Sequence, residues 1–503
     1  MNPQQTKGPE DLSWAYLTLA LLVGFPLCLW IGSMSTVLKL LILLCLSVFC
    51  FIAGLIWFSF FSEYALEKKK RHETYNEIPE NLRVNQKGSV VLGKDCDLTV
   101  PIYFPDSIRS RHVHILGSTG SGKTESVILN LLKQDIALGR GAIILDAKGD
   151  DSFQKHLKKW LPPERLSILD LSNSKSECFD PIKHGTPHEA ALRLHASLTW
   201  SQDYYGSKAL TALLRIFENH FKRHNENPTI HELSRKLYNA ATFSGEISAD
   251  SKERKELEEM FNELAGLCDQ VKTLSLGNLQ TLLSPKKGQP QIDLSDALSG
   301  KVIYFRLQSL VSPQTVASVG KLILNNINYL AGQSHRTEKE HGSEDQRDLL
   351  PIFLDEFAAF ASSEFAPLIA MARSAKFALH FSHQSIGDLV NVDRGFVSQI
   401  TDNSGTKIVM RINDPDTADY FAKSFGTKLI NKITQRITKT DVNENGELVG
   451  EGSSREAHQF RANPDLLKTL PTGMAAVLMA HGEETKEGAS HVFKIKFPRL
   501  EEK

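Results

Sequence analysis

The residues best suited to chemistry lie in Gly117-Ser118-Thr119-Gly120-Ser121-Gly122-Lys123-Thr124. This G-x-x-x-x-G-K-T pattern follows the apolar run 112–116 and precedes a helix-compatible run, 125–133, the strand–loop–helix setting that a phosphate-binding loop requires. Glycines let the backbone fold around phosphate oxygens and aim its N–H groups at them. The following helix adds the positive end of its dipole. Lys123 can reach the β- and γ-phosphates, and the Thr124 hydroxyl can ligate Mg²⁺. The pattern predicts a nucleoside triphosphate bound across Gly117–Thr124.

A second constellation ends the apolar run Leu350-Pro351-Ile352-Phe353-Leu354 with Asp355 and Glu356. In phosphoryl transfer a cation must bridge the phosphates and a nucleophile must be oriented, the rest being positioning and electrostatics. Asp355 would hold Mg²⁺, directly or through water, and Glu356 would polarise the attacking water. Gln384 ends the next apolar run, 378–382, where its amide could contact the γ-phosphate or the water. His380 and His383 lie three apart, but no further Cys or His partners give them a metal-site pattern. Arg373 lies between these two strands, where in a ring it could reach a neighbour's γ-phosphate; Arg394 and Arg411 are rivals for that task. Asp146 and Lys148 end another strand near the phosphates and fit either a turn or a contact.

Strand-length apolar runs position these groups: 142–146, 166–169, 302–307, 351–354, 378–382, 407–411, 475–479 and 492–497. Continuous rather than alternating apolarity predicts parallel strands buried on both faces, with nucleotide at their carboxyl ends. From 186 to 283 strand-like runs give way to helical ones, too long a stretch for an ordinary crossover, and we expect an all-α insertion there. The polar stretches 333–348 and 438–457 read as surface loops, and 72–105 as a small β element before the phosphate loop.

The chain's 503 residues carry a formal net charge of −1, so any contact with nucleic acid must be local rather than global. Its six cysteines show no C-x-x-C pairing and suggest neither a zinc site nor a disulfide framework. Residues 14–32 and 40–61 are nearly charge-free, each long enough for a bilayer, which takes about 20 residues. Lys68-Lys69-Lys70-Arg71 after the second run places both termini in the cytoplasm.

In order, these pieces resemble the type IV secretion coupling proteins, the TraD/TraG-type conjugative ATPases related to the FtsK and HerA motors. The resemblance rests on the two spans, 112–124, Ile144-Leu145-Asp146-Ala147-Lys148-Gly149-Asp150 and Phe179-Asp180-Pro181-Ile182. It continues with 353–357, Ser382-His383-Gln384-Ser385, Asn463-Pro464-Asp465-Leu466-Leu467 and Leu470-Pro471-Thr472-Gly473. It implies an α/β, RecA-like P-loop domain (72–185 and 284–503) with a parallel sheet, an all-α subdomain (186–283) and a two-helix membrane anchor (1–71). It further implies a DNA-dependent ATPase using ATP and Mg²⁺ as a homo-hexamer at the bacterial inner membrane. Such a ring would pass a relaxase–DNA substrate, with its DNA-processing proteins, to a secretion channel. Protein effectors as cargo, or a chromosomal double-stranded DNA pump, are the alternatives. The chain stops soon after 492–497, so a C-terminal substrate selector is not expected.

Overall fold

A computed structural model describes residues 74–239, 251–308, 313–341, 348–363, 365–435, 452–485 and 488–498, with scattered positions before 72 and single residues at 244 and 500. Two compact units divide the chain, Met1–Glu77 and Ile78–Lys503. In the first, the described residues from 44 to 77 are helical. No helix among the described residues is long and apolar enough to cross a membrane; the expected span 14–32, and most of 40–61, lie outside them.

The second unit is built on an eleven-stranded sheet. Its strands are β1 (Val90–Asp95), β2 (Pro101–Phe104), β3 (Val113–Leu116), β4 (Ala142–Asp146), β5 (Leu166–Asp170), β6 (Val302–Arg306), β7 (Leu350–Asp355), β8 (Phe377–His383) and β9 (Thr406–Val409). Strands β10 (Thr427–Gln435) and β11 (Gly452–Phe460) form a separate ribbon, and β12 (Met474–Thr485) and β13 (Gly488–Lys496) return to the main sheet. The order is β2-β1-β13-β12-β9-β3-β8-β7-β4-β6-β5.

From β9 to β5 every pairing is parallel. All residues of β3, β4, β7 and β8 are buried, as expected where helices cover both faces. The remaining pairings, β9–β12–β13–β1–β2, are antiparallel, so the sheet is mixed rather than wholly parallel. Residues 90–104 are therefore no separate element: they close the antiparallel edge of the main sheet.

Two expected loops are also corrected. The helix Pro313–His341 carries residues 333–341, and the polar residues 452–457 belong to β11. Both stretches carry polar residues without an apolar run, which is why they read as loops. A β-ribbon needs only cross-strand pairing, which runs unbroken from Thr427↔Phe460 to Gln435↔Gly452.

Between β5 and β6 the described residues form helices, among them Pro187–Ser197, Asp203–His224, Ile230–Tyr238, Ser251–Asn262 and Ala265–Thr273. Local chemistry sets their starts. Thr186 and Glu189, and again Thr229 and Glu232, form capping boxes that satisfy the first free N–H groups. Their apolar faces share one continuous core with the sheet, in which Leu194, Leu213 and Phe217 join Ile303, Phe305 and Leu354. The helices thus share a core with the sheet, with Pro187–Ser197 packed against the helix Pro313–His341.

A buried ionic cluster ties the start of the sheet to the helix Leu129–Ala137. Arg109, fully buried, donates to both oxygens of Asp135 at 2.8 and 2.7 Å, and Arg140 reaches Asp135 at 3.1 Å. Burial pushes the Asp135 carboxyl up, but the two guanidiniums outweigh it and hold the carboxyl below its ordinary range. Removing Arg109 leaves the buried Asp135 carboxylate with Arg140 alone and one oxygen unanswered, so Arg109→Met should destabilise the protein by about 3 kcal/mol in urea denaturation.

Three imidazoles lie in the same core. Burial holds His112 down at about 4 and His380 at about 3, and holds His114 well below its ordinary value. Unfolded imidazoles take protons near pH 6.5. Below that pH the unfolded chain binds more protons than the folded one, so stability falls as pH drops. At about pH 5.5, His112 and His380 should each remove about 1 kcal/mol, seen as a lower urea midpoint than at pH 7. A midpoint that stays level across this window would contradict neutral buried rings.

Candidate nucleotide-binding site

Strand β3 delivers Gly117 to the carboxyl edge of the sheet. Gly120 and Gly122 take φ values of 76° and 101°, a region that glycine alone enters freely. A Cβ on Gly117 would lie 2.4 Å from Ser121 Oγ and 2.9 Å from Met410 Cβ, so the loop is pressed against the segment after β9. That segment leaves the sheet at Met410, two residues earlier than the apolar run suggests, and Arg411 turns its carbonyl to accept from Ser118 N–H (2.8 Å) and Oγ (3.0 Å). From the far edge, Gly473 N–H donates to the Ser121 carbonyl at 3.0 Å and Thr472 Oγ1 to the Gly120 carbonyl at 3.2 Å. Past the loop, Lys123–Ile128 form a π-helical turn that continues as Leu129–Ala137; such turns recur at functional sites. Asn130 on this helix donates to the Pro498 carbonyl at 2.7 Å.

Lys123 is buried; its Nζ donates to the Gly117 carbonyl at 2.7 Å and lies 3.6 Å from Glu356 Oε1. Thr124 Oγ1 donates to Asp355 Oδ2 at 2.6 Å. The other Asp355 oxygen accepts from Ser382 Oγ and from Glu356 N–H. Glu356 has φ 50°, a strained left-handed turn for a side chain, at the point where β7 ends. Its second carboxylate oxygen accepts from Gln384 Nε2 at 3.3 Å, while Gln384 Oε1 accepts from Thr119 Oγ1 at 3.3 Å. Register sets Asp146 beside Asp355. Asp146 accepts from Gly149 N–H, Asp150 N–H and Tyr304 OH, and burial, with the Asp355 charge adding to it, pushes its carboxyl up. This carboxyl thus folds the 146–150 turn, while Lys148 points outward to Asp150.

Residues 117–124, Asp355, Glu356 and Gln384 therefore meet at one edge. Arg373 does not join them: it is exposed and precedes β8, whose first residue Phe377 marks the opposite edge of the sheet. Arg394 opens the helix Arg394–Asp402. His380 is fully buried, with Nε2 3.3 Å from Arg109, and no metal-type cluster occurs among the described residues. Sequence reasoning assigned no role to Ser382, the Arg411 carbonyl, Thr472 or Gly473. A serine within an apolar strand was the one available signal; backbone carbonyls leave none. Glycines where a side chain would collide, a buried lysine, and a hydroxyl converging with a carboxylate fit a triphosphate with a divalent cation.

Fold and loop together define a P-loop nucleotide-binding protein. One family profile, described as the central domain of helicase HerA, matches residues 87–284, and another, described as the TraM recognition site of TraD and TraG, matches 349–471. The type 4 coupling protein DotL of Legionella pneumophila is 22% identical over 506 residues, covering 86% of this chain. The chain spans 62% of that relative's length. Among solved structures, the unbound bacterial conjugative coupling protein TrwB superposes with a TM-score of 0.61 at 16% identity, covering 84% of this chain and 90% of TrwB. TrwB in complex with ADP and Mg²⁺ gives 0.60 at 14% identity, covering 84% and 91%. VirB4 of Thermoanaerobacter pseudethanolicus gives 0.53 at 16%, covering 83% and 98%. The chain is thus similar to type IV secretion coupling proteins and to the HerA central domain over separate stretches, and shares its fold with TrwB.

Gly473 has φ 77°, and a Cβ there would lie 3.3 Å from Ser126 Oγ. Forcing a side chain into that conformation requires about 1–2 kcal/mol. Gly473→Val should therefore weaken binding of a fluorescent ATP analogue by about five- to thirtyfold at unchanged circular dichroism.

Proposed function

We propose that this chain is the coupling ATPase of a conjugative type IV secretion system, turning over ATP with Mg²⁺ to drive DNA transfer. The observation that carries this reading is the convergence of Lys123, Thr124, Asp355, Glu356 and Gln384 within hydrogen-bonding or ion-pairing reach of one another. In this reading the N–H groups of 117–124 cradle the phosphates and Lys123 neutralises their charge. Thr124 and Asp355 hold Mg²⁺, which when bound offsets charge on the phosphate oxygens. Glu356 accepts a proton from the attacking water, and Gln384 orients that water against the γ-phosphate. The ATP-analogue and ADP–Mg²⁺ complexes of TrwB support the choice of ligand.

The placement of Arg373 away from its own loop suits a residue acting on a neighbour, and we assign it as the trans-acting arginine of a homo-hexamer. Residues 14–32 and 40–61 would anchor the ring in the inner membrane as a multi-pass protein with a large cytoplasmic part. The helical segment 186–283 would form the subdomain that meets the relaxase and DNA-processing proteins, opposite the channel components.

The test is ATPase rate for the full chain in detergent, with and without single- and double-stranded DNA, at several protein concentrations. DNA should raise the rate, and the rate should climb faster than linearly with concentration, since an arginine supplied in trans is worth about 10³–10⁵. Glu356→Gln should bind nucleotide normally while turnover falls by about 10²-fold or more. Normal turnover in that variant would remove Glu356 from the mechanism. Robust hydrolysis indifferent to DNA would favour protein cargo instead.

A further inference from the structure

Directly behind the nucleotide loop, two imidazoles meet inside the sheet. His114 lies on β3 and His383 ends β8; both are fully buried, and their Nε2 atoms are 2.6 Å apart. Their ring centroids are 4.9 Å apart with 23° between the planes, so the rings meet edge to edge through these nitrogens, and the Phe381 ring centroid lies 4.9 Å from that of His114. The second nitrogen of His383, Nδ1, is 2.8 Å from the Ser385 carbonyl.

Hydrogen placement follows from the partners. A carbonyl only accepts, so His383 Nδ1 carries a hydrogen. In the neutral ring, Nε2 is then an acceptor, and His114 must donate to it from its own Nε2. His114 Nδ1 is thereby left bare, in keeping with its lack of any hydrogen-bond partner. Only one tautomer of each neutral ring satisfies this chain.

The chain ends at Gln384. Asp388 accepts from the N–H groups of Gln384 (3.0 Å) and Ser385 (2.9 Å), and its carboxylate lies 3.7 Å from His383 Nδ1. Ile386 N–H donates to Thr417 Oγ1 at 3.1 Å, fastening the same turn to the helix that follows β9. The backbone on both sides of Gln384 is thus held, while its own side chain is exposed and, among the described residues, bonds to Thr119 and Glu356.

We infer that His383 is a positioning residue for Gln384: its Nδ1–H grips the Ser385 carbonyl, and His114 fixes the ring that makes the grip. The turn carrying the amide is thereby registered against the strand that carries the phosphate loop. This inference rests on the role proposed above for Gln384.

The test uses two replacements that each keep one nitrogen. In His383→Asn the amide can still donate to the Ser385 carbonyl but no longer reaches His114. In His383→Gln the amide can meet His114 but leaves Ser385 unheld. Misplacing a reacting group by about 1 Å can lower a rate by about 10². His383→Asn should therefore keep kcat within about threefold of the parent, whereas His383→Gln should lose about tenfold or more in kcat, with the Kd for adenylyl imidodiphosphate unchanged in both. Equal kcat in the two variants, the reverse order, or loss of nucleotide affinity in both would make the ring mere packing and overturn the inference. Asp388→Ala, which removes the oxygen that accepts from both Gln384 and Ser385 N–H, should also lower kcat without moving that Kd; normal turnover would count against the held turn. Gln384→Ala is measured alongside. If it turns over normally, the proposed role of Gln384 fails and the inference falls with it; if it is slow while both His383 variants are normal, only the inference fails.

Discussion

A buried carboxylate must be answered on every face, and the way Asp355 is answered organises the site. One oxygen accepts from Thr124, which begins the helix after the loop; the other accepts from Ser382 on the neighbouring strand and from the N–H of Glu356. These bonds draw β3, β7 and β8 to a common edge and turn the chain at Glu356 so that its carboxylate comes back over Lys123. Leaving such a group unanswered would cost several kcal/mol. The strained backbone of Glu356 is tolerated because Asp355 and Ser382 together hold its N–H.

Parallel register makes this geometry possible. Asp146 pairs with Asp355, and Leu116 with both His383 and Val409, while Leu354 pairs with Phe381, so five strand ends terminate at nearly the same level. The antiparallel strands beyond β9 add no residue to the chemistry by themselves. Their contribution is the loop before β12, where Thr472 and Gly473 grip the phosphate loop from the outer side.

Much of this was legible in the residues alone. The loop 117–124, the pair Asp355–Glu356, Gln384 and the core strands stood out because each carries a local signal: glycine spacing, an apolar run, a polar residue ending it. What could not be read depended on partners distant in sequence. The antiparallel edge arises because Lys94 pairs with Lys496, some four hundred residues on, and no local pattern encodes that. Ser382 looked like any strand residue until Asp355 was placed beside it. None of the ribbon's described side chains, 427–432 and 455–460, is buried to impose alternation, so its polar sequence was indistinguishable from a loop.

The two bonds at the end of β13 place residues 497 and 498 in an unusual mechanical position. Phe497 N–H donates to the Gly473 carbonyl, and the Pro498 carbonyl accepts from Asn130, one turn past the loop. A tension applied at residue 498 therefore has almost no lever arm before it loads the phosphate-binding turn. Residue 498 is thus a handle on the phosphate-binding loop, and load there is a mechanical input to the nucleotide site.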